Sequence, residues 1–244
     1  MLDIRNTTQM LKINEFPGIR FQVKFKGVDG IIPYNYQYQL YSALTYNVRS
    51  IEHDEKQPKL FTFSKLFFSD AKFEKEGIKI NKDSEIKLFF ASYYTNIAFE
   101  IIENIISNNG LKLKRNIFRL KGTPIILKKE NKNIFDTLSP ITVSMIKNGK
   151  NYNPSPIELE FFELIKKNLI KKYRLIYGQE YHGPILFNTN HIHNVKSKRI
   201  KIKNTYHIGY ELKGLEIIAP PEILNIVRTC GLGSKNSMGF GMVV

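Results

Sequence analysis

Gly18-Ile-Arg-Phe-Gln-Val-Lys-Phe-Lys26 alternates apolar and polar positions, which predicts a strand with Ile19, Phe21, Val23 and Phe25 on its buried face. A turn near Gly27–Gly30 and Pro33 follows, and then the period lengthens. Leu40, Ala43, Leu44, Val48 and Ile51 recur at helical spacing, behind a cap predicted at Asn35. Leu60–Phe63, Gly77–Ile80 and Ile86–Tyr93 read as strands, and Asn96–Ser107 as a helix ended by Asn108-Asn109-Gly110. Strands through Leu111–Phe118 and Thr123–Leu127 close this half.

A second round begins with a strand near Ile141–Ile146 and a turn at Asn148-Gly149. Ser155-Pro-Ile-Glu158 combines a capping box with proline at the first helical position. Strands are predicted at Gly183–Asn188, Lys198–Lys203 and Tyr206–Leu212, then a helix from Pro220 to Gly231 and a last strand at Phe240–Val244. Each half therefore approximates β-α-β-β-α-β. The expectation is an α+β chain of two tandem ferredoxin-like domains, 17–130 and 131–244, behind an N-terminal extension, 1–16.

Charge changes this picture. The 244 residues carry 37 Lys and Arg against 22 Asp and Glu, a net +15, which points to a polyanionic partner. The excess is local. Seven basic residues and no acid lie between Leu111 and Lys129, and five more lie in Lys196-Ser-Lys-Arg-Ile-Lys-Ile-Lys203. In the latter, Ile200 and Ile202 alternate with Arg199, Lys201 and Lys203, so a strand would bury the isoleucines and present cations to a phosphate backbone. An edge strand guarded by lysines has the same pattern. A third tract, Lys166, Lys167, Lys171, Lys172 and Arg174, is helical. One cysteine, Cys230, excludes a disulfide framework and is expected to be a buried small residue. No apolar run is long enough to span a membrane and the first residues form no signal peptide, so a cytoplasmic chain is expected.

Gly231-Leu-Gly-Ser-Lys-Asn-Ser-Met-Gly-Phe-Gly241 holds four glycines in eleven residues. It fits neither a dinucleotide fingerprint nor a P-loop. Glycines interleaved with Ser234, Lys235, Asn236 and Ser237 favour close backbone approach to phosphate, giving an expected RNA contact from Gly231, Gly233, Gly239 and Gly241 as well. His53 stands in a polar loop, where a lone histidine is usually only solvated. Tyr46 lies about 140° from the apolar stripe of its helix at about 100° per residue, an outward position that packing does not explain. Clustered with Lys59 near the helix end, these two would be able to supply a general acid, a general base and a fixed cation, without metal. His182, His191 and His193 lack the cysteine pair or H-E-x-x-H helix of a zinc site; His191 and His193 remain reserve candidates on one face of a strand.

Pro33-Tyr-Asn-Tyr-Gln-Tyr38, Pro58-Lys-Leu-Phe-Thr-Phe-Ser64, Thr137-Leu-Ser-Pro-Ile141 and the terminal glycine loop together resemble the CRISPR-associated repeat-processing endoribonucleases, the Cas6 family of the RAMP superfamily. The resemblance runs from about Gly18 to Val244. It implies cleavage of precursor CRISPR RNA within its repeats by the neighbouring ribose 2′-OH. The products would be a 2′,3′-cyclic phosphate and a 5′-OH, formed with neither metal nor cofactor. The family's tyrosine, histidine and lysine fall here on Tyr46, His53 and Lys59, with Tyr41 as the alternative tyrosine because Thr45 is inserted. Lys198–Lys203 and the glycine loop would hold the RNA. The implied partners are repeat RNA, Cascade-type interference-complex proteins and a second copy of the chain. A RAMP-type subunit that binds guide RNA without cutting it is the competing reading.

Overall fold

The computed structural model describes residues 17–51, 58–113 and 116–244. The first half consists of β1 (Ile19–Lys26), β2 (Gly30–Ile32), α1 (Gln37–Thr45), β3 (Phe61–Phe63), β4 (Phe67–Phe68), β5 (Lys72–Glu74), β6 (Gly77–Ile80) and β7 (Glu85–Ser92). It continues with α2 (Thr95–Ser107), β8 (Gly110–Leu113), β9 (Asn116–Leu120) and β10 (Ile125–Ile126). The main sheet is antiparallel in the order β3-β7-β1-β9-β8, with β1 paired to β7 from Ile19 opposite Ser92 to Lys26 opposite Glu85. Setting aside the small β2-β6-β5 sheet, this is β-α-β-β-α-β with its last strand doubled into a hairpin. The alternation predicted for β1 holds: Val23 and Phe25 are fully buried beneath Leu40 and Leu44 of α1 and Ile101 and Ile105 of α2.

The second half contains β11 (Ile134–Phe135), β12 (Met145–Lys147), β13 (Lys150–Tyr152), α3 (Leu159–Tyr177) and β14 (Leu186–Asn188). After these come β15 (Asn194–Ile202), β16 (Thr205–Lys213), β17 (Leu215–Ile218) and α4 (Pro221–Cys230). Strands β11, β17 and β14 form one sheet, and β12-β13 and β15-β16 are hairpins. The first of these turns through Asn148 and Gly149, both at positive φ as a tight primed turn requires.

Several boundaries differ from the periodicity. Helix α1 stops at Thr45, and Val48 and Ile51 are buried from the turn that follows. Asn35 does not cap it; its Oδ1 accepts the Lys201 backbone N–H at 3.4 Å instead. Leu111–Phe118 is the β8-β9 hairpin rather than one strand. The Ser155–Glu158 box forms, with Glu158 Oε1 accepting from Ser155 N at 2.7 Å, but as a turn ahead of a helix that starts at Leu159. Phe240–Val244 is no regular strand: it makes an isolated bridge, Thr137 to Val243, and is tied to Asp136–Ser139 by backbone hydrogen bonds, among them Leu138 N–H to Met242 O at 2.7 Å and Val244 N–H to Asp136 O at 2.8 Å. Lys172, counted among the cations of the helical basic tract, is 2% exposed.

The two cores are not independent. Leu60 and Tyr93, from the first half, belong to the cluster built around Phe161, Ile165, Leu169, Ile226 and Val227. Thr62 Oγ1 donates to Phe240 O at 3.1 Å, and Lys65 Nζ to Glu211 Oε1 at 2.6 Å.

Candidate functional site

The site begins with Pro33–Tyr38, whose side chains anchor α1. Tyr36 is buried and its hydroxyl accepts the Leu66 N–H at 2.9 Å; burial pushes that phenol far up. Tyr38 and Tyr41, one helical turn apart, therefore share a face, with ring centroids 6.2 Å apart. Lys59, just before β3, donates from Nζ to the Tyr41 hydroxyl at 3.0 Å. On the other side, the Lys203 ammonium lies 5.7 Å from the Tyr38 ring centre. Lys59, Tyr41, Tyr38 and Lys203 thus form one continuous track of alternating cations and aromatics.

The track continues into the β15-β16 hairpin. Ile200 and Ile202 are buried against Phe240 and Tyr38, as the alternation predicted. The Arg199 guanidinium and the Lys201 ammonium sit over the Tyr206 ring at 4.1 and 5.7 Å. Lys203 is in the turn, at φ 51°, not on the strand. The hairpin's cations are thereby displayed beside aromatic faces, an arrangement suited to stacking bases between phosphate contacts.

Tyr46 is elsewhere. It follows Tyr41 by five residues, about 140° around the helix at 3.6 residues per turn, and so faces away from Lys59. It is 67% exposed and lines a groove of about 600 Å³ with Ser42, Asn104, Asn108, Lys112 and Ile117. Its carbonyl accepts from Asn104 Nδ2 at 2.9 Å. His53 lies outside the described residues. Ahead of it in the chain, Arg49 N and Ser50 N donate to Glu100 of α2 at 2.6 Å and 3.2 Å.

The glycine loop folds onto itself. Asn236 is buried and donates from Nδ2 to Leu232 O at 2.8 Å and Phe240 O at 3.0 Å. Gly231, Gly233, Gly239 and Gly241 all have positive φ and are buried. A Cβ on Gly239 would meet the Phe63 ring at 2.6 Å, and one on Gly241 would run into Leu232 O. These glycines answer to packing between neighbouring chain segments, while Lys235 is exposed, flanked by the half-buried Ser234 and Ser237. Beneath the loop, Lys172 Nζ donates to Gly231 O at 2.6 Å and Gly233 O at 3.3 Å. Among the described residues it has no carboxylate partner, and burial lowers its ammonium to about 8. Cys230 is buried beside it, as expected, and its thiol is pushed up to about 11.

Of the other histidines, His191 and His193 lie in a turn ahead of β15, not on a strand. His191 Nε2 is 3.6 Å from Glu216 Oε2. His207, which the sequence reading passed over, is buried edge-on to Phe240, and burial and the Lys235 charge hold its imidazolium below the usual range. Among the described residues no group of three or more His, Cys, Asp or Glu is placed to hold a metal ion. Among them, too, no helix is long and apolar enough to cross a membrane.

The family model "CRISPR associated protein Cas6, C-terminal" matches residues 121–244, and "CRISPR-associated protein Cas6, N-terminal" matches residues 31–123. The CRISPR-associated endoribonuclease Cas6 of Pyrococcus furiosus is 31% identical over 227 residues, covering 87% of this chain and 83% of that protein. This chain belongs to the Cas6 family. CRISPR-associated endoribonuclease Cas6 1 of Methanocaldococcus jannaschii is 29% identical over 88% of this chain and 87% of its own. Among solved structures, a CRISPR associated protein Cas6 superposes with a TM-score of 0.79 at 29% identity, covering 93% of this chain and 98% of that one. A Cas6-related protein from Pyrococcus furiosus gives 0.81 at 26% identity, with the same coverage. A RAMP protein described as binding different RNA substrates gives 0.79 at 26%, covering 92% and 98%. The fold is accordingly α+β, two ferredoxin-like units in tandem, as in these Cas6 relatives.

Proposed function

We propose that this chain cleaves precursor CRISPR RNA within its repeats, by attack of the ribose 2′-OH on the adjacent phosphate. The observation that carries the reading is the Lys59–Tyr41 pair standing at the end of a cationic, aromatic track, in a chain whose relatives are named CRISPR-associated endoribonucleases. The 2′ oxygen displaces the 5′ oxygen, giving a 2′,3′-cyclic phosphate and a 5′-OH. His53 and a tyrosine exchange protons with these two oxygens, and Lys59 stabilises the charge that develops on the phosphate, with no metal taking part. The contact with Lys59 favours Tyr41 over Tyr46 as that tyrosine. Lys198, Arg199, Lys201 and Lys203, with Lys235, Ser234 and Ser237 of the glycine loop, hold the RNA backbone. Gly231, Gly233, Asn236, Gly239 and Gly241 serve by giving that loop its shape.

The test is cleavage of the cognate repeat RNA in EDTA, beside a copy carrying 2′-deoxyribose at the scissile position. The first should be cut and the second should not. His53→Ala and Tyr41→Phe should each lose about 10²–10⁴ in rate with little change in affinity, and Tyr46→Phe should stay near the parent. If Tyr46→Phe is the slow variant and Tyr41→Phe is not, the tyrosine is Tyr46. Tight binding of the repeat with no cutting would establish the non-catalytic RAMP reading instead.

A further inference from the structure

Two guanidiniums stand at the junction of β1 and α4, away from the proposed cleavage site. Arg20 lies between the core-facing Ile19 and Phe21, so its side chain leaves the sheet on the opposite face. It donates from one terminal nitrogen to Val243 O at 2.7 Å. Arg228 is 6% exposed, donates to Lys132 O and lies 5.4 Å from the Phe135 ring centre. The Nε of each is buried and has no partner among the described residues. Burial first, and the Arg228 charge after it, depress the Arg20 guanidinium to about 10. The acid nearest both, Glu130, is already held by Lys132 at 2.7 Å.

Both arginines line a cavity of about 140 Å³, whose wall also carries Lys128, Lys129, Glu130 and Thr95. Among the described residues of this wall, the two guanidiniums and Lys128 stand beside one acid, Glu130. Thr95 opens α2, which has no side-chain cap, so that helix turns its free N–H groups and the positive end of its dipole toward the same corner. About 30 Å³ per water gives the cavity room for several waters, and so for one tetrahedral oxyanion. Buried like charges are unfavourable until an anion joins them, and paired guanidinium forks match the oxygen geometry of phosphate.

We propose that this cavity binds a phosphate group between Arg20 and Arg228. The site is separate from the cleavage reading and does not depend on it. The phosphate has two sources, a free phosphate species or the backbone of RNA lying across the junction. Titration calorimetry with sodium phosphate, against sodium chloride at matched ionic strength, tests the proposal. The parent should bind phosphate saturably, and Arg20→Gln and Arg228→Gln should each weaken it at least tenfold. Arg228→Lys keeps the charge without the fork, and Lys128→Ala changes an exposed side chain; both should fold and bind several-fold more weakly. Displacement by a single-stranded RNA decamer unrelated to the repeat identifies the backbone as the source, and persistence identifies a free phosphate species. No saturable phosphate binding by the parent, or equal affinity in all four variants, would overturn the site.

Discussion

Lys172 shows what a single residue does when its charge is removed from water. Folded, its ammonium falls to about 8 from the usual 10.5, because burial disfavours the charged form. Below pH 8 both folded and unfolded chains bind the proton, and the folded state bears the full cost. Between pH 8 and 10.5 only the unfolded chain holds it, so this group's contribution to stability rises with pH. Cys230 acts in the opposite sense above pH 9, where the unfolded thiol ionises and the folded one, raised to about 11, does not. The lysine is therefore isolated between pH 7 and 9. There, urea unfolding of the parent should gain stability relative to Lys172→Met, tending toward about 3 kcal/mol across the full shift at 1.36 kcal/mol per pKa unit. Equal pH slopes in the two proteins would show that Lys172 is not buried as a cation. None of this was legible in the sequence, where Lys172 belongs to a helical basic tract; its partners are the Cys230, Gly231 and Gly233 carbonyls, some sixty residues away. Tyr41 is the converse, since the sequence already named it as the alternative tyrosine, and the structure sets its ring beside Tyr38. What spacing could not reveal was which tyrosine Lys59 would reach across the loop.

At the scale of elements, periodicity was most informative where burial is one-sided. The buried isoleucines and displayed cations of β15 follow directly from its alternation, as does the core face of β1. It was least informative where local bonding competes with the period. The turn at Ser155–Glu158 is set by a side-chain contact that hydropathy does not record, and α1 ends at Thr45 although the apolar period runs on to Ile51. The glycine loop also reads differently in three dimensions, because its glycines admit neighbouring protein segments and only Lys235 and its flanking serines reach outward. For the hairpin, the expected outcome is quantitative. Replacing Lys198 and Lys201 by alanine should leave the circular dichroism unchanged and weaken repeat RNA. It should also flatten the log affinity against log salt plot by about 0.7 for each phosphate contact removed from a single strand. A filter-binding series in KCl reads that slope; an unaltered slope would assign the hairpin's lysines to edge protection instead.

The whole molecule is held as one piece by contacts that cross between its halves. Leu60 and Tyr93 sit in the second core, Thr62 and Lys65 bond to Phe240 and Glu211, and Arg20 bonds to Val243. Heat unfolding should therefore show one transition, with calorimetric and van't Hoff enthalpies in agreement. Two resolved peaks would mean that each half keeps its structure without the other. Cys230 adds a way to watch this assembly at work. It is the single thiol of the chain, fully buried at the end of α4 under the glycine loop, and it remains protonated at neutral pH. A disulfide reagent can modify it only during moments when that corner opens. The protein thus carries its own stopwatch for loop opening, and RNA gripped by Lys235 would be expected to slow it.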